Sequence, residues 1–280
     1  MQRIRIRYAK RGPLRFTSHR DFARAFERAM RRAGVPVAFS QGFTPHPKVS
    51  YASTAPTGVA TEAEYLEIGL RERVDPGELR DALNAALSPG LEVLDAVEAT
   101  GGNLADRMEA SHWRVELPGV EPEALRRAVR AFEDAAEVRV ERLTKQGRRS
   151  IDARGAVVRI SVLDSAETGH TEGAGARAEA GAAGSDEGRA PSVDEPPSKV
   201  SAVPCAILDL VVRQVTPTVR PDDVLSGLRV VGDLHTPVPP RATRLAQGML
   251  TAQGEIADPL AADRQGQPSV NASRLSASAR

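Results

Sequence analysis

Residues Gln2 to Tyr8 alternate without a break, with Ile4, Ile6 and Tyr8 on one side and Arg3, Arg5 and Arg7 on the other. A period of two is the mark of a half-buried strand, so the chain opens with a strand whose apolar side needs cover. The next apolar segment supplies it. After a loop around Gly12-Pro13, Ser18 opens a helix with Asp21 three positions on, the capping-box spacing with Asp in place of Glu. Phe22, Phe26, Ala29, Met30 and Ala33 fall on one side of this helix, and Arg20, Arg24, Arg28 and Arg31 on the other. Gly34 and Pro36 end it, and His19 in its first turn projects toward the edge of the apolar side.

Two further strands, Val49 to Ala55 and Glu64 to Leu70, are joined through Pro56-Thr57-Gly58. Asp75-Pro76 starts a helix running to about Leu87, and Leu91 to Val97 is a fourth strand. The order β-α-β-β-α-β is that of the ferredoxin-like split βαβ unit. Beyond a Gly101-Gly102 hinge and a helical turn to Met108, a second series begins. His112 to Leu117 is a strand, Glu121 to Phe132 a helix, and Glu137 to Leu143 and Ala156 to Leu163 are strands. Cys205 to Gln214 is another strand, Pro221 to Leu228 a short helix, and Ala242 to Met249 closes the second sheet.

Between Ser165 and Lys199 there is no Leu, Ile, Met or aromatic residue, too little apolar surface to offset the entropy of ordering. The expected fold class is therefore α+β: two tandem ferredoxin-like halves, residues 1–100 and residues 109–163 plus 200–250. A disordered linker at 164–199 interrupts the second, and a disordered tail follows at 251–280.

Charge is unevenly spread. From Met1 to Ser50 there are twelve Lys and Arg against only Asp21 and Glu27. Such a local excess favours phosphate-bearing or acidic partners, because its field raises their local concentration. The plain alternative is an arginine-rich composition with no partner behind it. Cys205 is the only cysteine, so no internal disulfide, zinc knuckle or iron-sulfur ligand set is expected, and no cofactor or metal site. The start carries no apolar signal core and no stretch is long enough to span a bilayer, so a cytoplasmic protein with no membrane partner is expected.

The tightest loop is Phe39-Ser40-Gln41-Gly42-Phe43-Thr44-Pro45-His46-Pro47-Lys48. Pro45 and Pro47 hold their own φ, and Pro47 keeps His46 out of the helical region, so the imidazole sits on a stiff segment. A helix of about sixteen residues spans roughly 24 Å, whereas the dozen residues from Val35 to Pro47 reach about 40 Å when extended. His46 is thus within reach of His19. With Arg15, Arg20 and Lys48, the pair would bind a phosphate or serve as acid and base on an RNA 2′-hydroxyl.

The segments Arg15-Phe16-Thr17-Ser18-His19-Arg20-Asp21, Arg28-Ala29-Met30-Arg31-Arg32-Ala33-Gly34-Val35-Pro36 and Phe39 to Lys48, with Gly58 and Glu64-Tyr65-Leu66, resemble the radical SAM-associated (radical SAM-linked) family. That family is a domain of unknown function, found fused behind a cobalamin-binding-type radical SAM module or as a separate protein. The resemblance is dense over residues 1 to about 70 and implies the stand-alone form, with the radical chemistry in a separately encoded partner.

Two other features bear on chemistry. Asp152 and Arg154 sit in the basic stretch Lys145 to Gly155, faintly similar to the catalytic segment of some pseudouridine synthases, or else a pair that stabilises a hairpin. The arginine side of the first helix tracks a phosphate backbone, docks an acidic protein, or is simply solvated. Two functions follow as expectations. The first is an accessory protein of a radical SAM enzyme, binding an anionic or RNA substrate through Arg15, Ser18, His19, Arg20, Arg24, Gln41, His46 and Lys48. The second is an RNA-modifying enzyme, pseudouridine synthase-like or metal-independent ribonuclease-like, using His19, His46 or Asp152.

Overall fold

The computed structural model describes residues 1–144, 147–163 and 204–266. The first half contains β1 (Gln2–Lys10), α1 (His19–Arg32), β2 (Val49–Ala52), β3 (Ala60–Leu70), α2 (Pro76–Ala86) and β4 (Leu91–Glu98). The second contains β5 (Ala110–Pro118), α3 (Pro122–Asp134), β6 (Arg139–Thr144), β7 (Gly147–Asp152), β8 (Val157–Leu163), β9 (Cys205–Arg213), α4 (Pro221–Gly232) and β10 (Arg241–Leu250). A short β11 (Ile256–Ala257) and α5 (Ala261–Gln265) follow. This is a mixed α+β fold built on a sheet.

Nine strands form one continuous sheet in the order β4-β1-β3-β10-β5-β9-β8, with β2 on β3 and β11 on β10. In the first half β1 lies between β4 and β3, and β2 flanks β3; in the second β5 lies between β10 and β9, and β8 flanks β9. The pairing order therefore repeats. Every junction is antiparallel except β3 with β10, which pair in parallel at Ala60↔Thr243 and Thr61↔Arg244. Strand β10, expected only to close a second sheet, thus fuses both halves. The reason lies in strand length: β2 covers β3 only from Tyr65 to Ile68, and the bare edge at Ala60 and Thr61 has amides to satisfy.

Each half buries its own core. α1 and α2 cover Ile4, Ile6, Leu66, Ile68 and Val93 with Phe22, Phe26, Met30, Leu79 and Leu83. α3 and α4 cover Trp113, Val115, Leu208 and Leu210 with Leu125, Phe132, Val224 and Leu228. On the other side of the first half, Tyr65 and Val97 pack against Leu104, Met108 and Leu260. Strand β7 was not expected: it lies within the basic stretch and pairs with the expected β6, and Val140 and Ile151 tuck the inner side of this hairpin into the second core. Lys145, Gln146 and the proposed linker at 164–199 lie outside the described residues.

At the seam, the Arg244 guanidinium pairs with the Glu64 carboxylate, both side chains being buried. The Ala55 amide donates to both Glu64 oxygens at 3.2 Å, and Arg244 lies 5.5 Å over the Trp113 ring. The Glu64 oxygens are thus shared between Arg244 and a backbone amide, while the Arg244 Nε is buried without a hydrogen-bond partner.

The stretch after Thr251, expected as tail, corrects that reading as far as Gly266. It carries β11 and α5, and Asp263 is fully buried. Its partner is Arg5, on the side of β1 that alternation assigned to charge. Arg5 Nε donates to Glu67 (2.9 Å), Nη1 to both Asp263 oxygens (3.0 and 2.9 Å), and Nη2 to the Gly101 and Gly102 carbonyls (2.8 and 2.6 Å). All five guanidinium donors are used. Asp263 also accepts from the Thr100 amide (3.0 Å) and hydroxyl (2.9 Å) and from Arg107 (2.7 Å).

Burial alone would raise the Asp263 carboxyl pKa, but the bonds from Thr100, Arg107 and Arg5 outweigh it and hold the group down to about 2. A depressed carboxyl stabilises the fold above its unfolded pKa and loses that contribution as pH falls through the folded value. From an ordinary 3.8 to about 2, the contribution is on the order of 2 kcal/mol, present above about pH 4 and lost toward pH 2. Asp263→Asn leaves Arg5 buried beside a neutral amide and should lower unfolding free energy by about 3–5 kcal/mol in urea titrations at neutral pH. Its stability between pH 4 and pH 2 should also fall less steeply than that of the parent chain.

Candidate functional site

Ser18 caps α1 as its spacing requires: its Oγ accepts from the Asp21 amide (3.2 Å) and donates to the Asp21 carboxylate (2.7 Å). With Phe22, Phe26, Ala29 and Met30 buried, the helix must show its other side to solvent. Arg20, Arg24, Arg28 and Arg31 stand there, exposed, in a row about 16 Å long at 1.5 Å per residue. None makes a hydrogen bond or ion pair with a described residue. Elsewhere in this half, exposed arginines do find acids: Arg3 holds Glu67 at 3.2 Å, Arg11 holds Glu62 and Glu92, and Arg73 holds Glu98 at 3.0 Å. Arg71, Arg127, Arg130 and Arg229 are likewise exposed with no acid partner among the described residues, but they are scattered, whereas the α1 arginines form one row on one helix. The charge of that row is unneutralised.

The loop after α1 folds back on itself, because Phe39 bridges Pro47 and the Ser40 amide donates to the His46 carbonyl (2.9 Å). Gly42, at φ +134°, makes the bend. The Ser40 hydroxyl accepts from the His46 amide (3.1 Å) and lies 3.0 Å from its Nδ1. The ring is thereby fixed with Nε2 free. His46 and Gln41 are exposed, as is Phe43 at the tip. Lys48, at the foot of the loop, lies 3.8 Å from the Met1 sulfur and forms no ion pair with a described residue.

His19 lies at the other end of α1, exposed, with its ring edge-on to Tyr51 at 4.7 Å. No hydrogen bond or ring contact joins it to His46. The loop has length enough to return along the helix, but the Phe39↔Pro47 bridge and the pairing of Val37 with Leu70 hold it at the helix C-terminus. Of the expected binding residues, Arg15, Ser18, His19 and Arg20 gather at one end of α1, Gln41, His46 and Lys48 at the other, and Arg24 lies between. Aromatic side chains mark both ends. Arg15 stacks 4.7 Å over the largely exposed Phe16, and Phe39 is half exposed beside the loop.

Asp152 belongs to neither group. Its carboxylate accepts the amides of Val138 (3.1 Å), Arg154 (3.0 Å) and Gly155 (3.1 Å), which is the work of a turn-forming aspartate. The expected Asp152–Arg154 side-chain pair does not form: Asp152 is held by backbone amides, and Arg154 Nη1 reaches the Val157 carbonyl at 3.5 Å.

One polar cluster escaped the sequence. On the side of the second half away from α3 and α4, the His112 Nε2 lies 2.5 Å from Asp209, which also faces Arg159 at 3.3 Å. Burial would raise the Asp209 carboxyl pKa, but the His112 bond and the charges of His112, Arg159 and Arg114 bring it below the ordinary value. Alternation places His112 and Arg114 on one side of β5. Nothing in the sequence pairs them with Asp209 across the 164–203 segment.

Among the depressions, one of about 740 Å³ near Glu109, Arg213 and Gln214 is the larger, but the Glu109 carboxylate is held by the Leu250 amide (3.0 Å). Another, of about 420 Å³, lies between α1 and the His46 loop.

A family model described as an uncharacterized protein conserved in bacteria, DUF2344, matches residues 3–221. The chain belongs to this family. A search of curated proteins finds no match. The DUF2344 match spans the basic helix, the His46 loop and both cores up to the first residue of α4, and its description names no reaction and no radical SAM partner. No helix among the described residues is long and apolar enough to cross a membrane.

Asp152→Ala strips three amides of their acceptor. It should lower the unfolding free energy by about 1–3 kcal/mol, measured by urea titration. A catalytic aspartate with no structural task would leave stability unmoved.

Proposed function

We propose that this DUF2344 protein binds single-stranded RNA along α1, as a stand-alone accessory of a separately encoded radical SAM enzyme. The observation that carries the RNA reading is the row Arg20, Arg24, Arg28 and Arg31, exposed and without an acid partner, between exposed aromatic side chains at its two ends. Arginines tracking a backbone supply affinity without sequence preference, and aromatic faces accept any base by stacking. An acidic protein would also be drawn to the row. The aromatics favour nucleic acid, because bases stack and carboxylates do not. The repeated pairing order supports reading the halves as tandem ferredoxin-like units. The accessory role rests on the resemblance to radical SAM-linked proteins over the motifs of residues 1 to about 70.

The test is fluorescence anisotropy of the full chain with a labelled twelve-nucleotide RNA across a salt series. Four phosphate contacts give a log–log salt slope of roughly −3, and Arg24→Glu with Arg28→Glu should weaken binding about 30-fold and flatten the slope by about 1.4. Unchanged affinity in that variant excludes the row. Affinity purification of the tagged chain from its own cells, with recovery of a radical SAM enzyme, tests the accessory role, and its repeated absence removes it.

A further inference from the structure

The cavity of about 420 Å³ beside α1 has a chemistry of its own, and its size falls in the range of roughly 300–1,000 Å³ typical of ligand sites. Buried Met30 and Val37 form its floor, and Phe39 and Pro47, tied by their backbone bridge, form a wall. Arg31 and Arg71 stand at its rim, both exposed and neither paired with a described residue. Glu27 lines the same space. It is half-buried and makes no hydrogen bond or ion pair with a described residue, although Arg31 lies one turn along the helix. Burial, and then the nearby Glu27 charge, push the Tyr51 phenol well above its ordinary value, so that side chain stays neutral and does not neutralise the carboxylate.

An apolar slot with an aromatic wall, one free carboxylate and two free guanidinium groups matches a nucleotide better than a peptide or a lipid. The slot takes a flat base against Phe39, the arginines take its flanking phosphates, and the carboxylate accepts from the base edge. The bases differ in what they offer. Guanine presents two adjacent N–H donors, N1 and N2, to the two oxygens of one carboxylate. Adenine and cytosine each set a ring acceptor beside their amino group, and uracil has a single N–H between two carbonyls, so each brings a lone pair against the carboxylate.

We infer that the cavity between α1 and the His46 loop reads an unstacked guanine of bound RNA, with Glu27 accepting from its Watson–Crick edge, Phe39 stacking, and Arg31 and Arg71 holding the adjacent phosphates. The inference rests on the RNA reading above and adds a base preference to it.

The probes are four labelled heptanucleotides, all-adenosine or with a central G, C or U, titrated against the full chain by anisotropy. The central-G probe should bind about tenfold more tightly than the other three, as a bidentate contact commonly provides. Glu27→Gln should bring the ratio of central-G to all-adenosine affinity close to one, and Phe39→Ala should lower it as well, with circular dichroism confirming that both variants are folded. Equal binding of all four probes, or a preference for C or U, overturns the guanine assignment and leaves the arginine row standing. A ratio unmoved by Glu27→Gln overturns the role of Glu27. Failure of all four probes to bind overturns the inference together with the RNA reading.

Discussion

Arg5 and Asp263 sit at opposite ends of the described chain, and their pairing in a fully buried position ties those ends together. A guanidinium taken out of water destabilises a fold unless every donor is satisfied, and here Glu67, Asp263 and the carbonyls of Gly101 and Gly102 satisfy all five. The consequences run through the architecture. The Gly101-Gly102 hinge between the halves is fixed because its carbonyls are ligands of Arg5, and α5 is fixed because Asp263 has nowhere else to place its charge. Leu260, the residue preceding α5, then closes the small core on Tyr65 and Val97. With the hinge set, β10 lies alongside β3, and the Glu64–Arg244 pair and the Ala60 and Thr61 bridges complete one sheet. The DUF2344 match ends at residue 221, so β10 and α5, which complete this arrangement, lie beyond it.

Against an interior in which Arg5 has every donor satisfied and Arg244 pairs with Glu64, the arginines on the outer side of α1 have no acid partner among the described residues. The same residue type serves both ends, and environment decides. Inside, Arg5 and Arg244 fix a geometry; outside, Arg20, Arg24, Arg28 and Arg31 leave a field for a partner to neutralise. The cavity beside Arg31 and the stiff His46 loop lie at one end of this field, and Phe16 at the other. The account treats the protein as a binder whose surface grips a backbone and whose cavity selects one base. The two histidines, read from the sequence as a pair for phosphate binding or acid–base work, lie at separate ends of α1.

Much of this was legible from local pattern. The alternation of β1, the cap at Ser18, the buried side of α1 and the arginine row all follow from neighbours within a turn or two, and Phe22, Phe26 and Met30 are buried as their spacing requires. The loop was legible as stiff, but its direction was not, since that depends on the bridge from Phe39 to Pro47 and the pairing of Val37 with Leu70. Arg5 was misread as a surface charge because the residue that buries it lies 258 positions away, in a stretch whose composition resembles a tail. Strand β7 was missed because Arg148 and Arg149 mask a strand in which only Ile151 is buried. Glu27 stood out in the sequence only as one of the two acids, with Asp21, of the basic first fifty residues. Its meaning comes from the cavity, which needs the helix, the loop and the end of β3 in place together.

Ultraviolet crosslinking of RNA to the full chain, followed by mapping of the modified peptides, tests the central claim most directly, because it asks where a bound strand lies without altering the surface. The account expects crosslinks in the peptides carrying Phe16 and Phe39 to Phe43, at the two ends of α1. Crosslinks confined to peptides away from α1, such as the β6-β7 hairpin with Arg148 and Arg149 or the α3 peptide with Arg127 and Arg130, would contradict it.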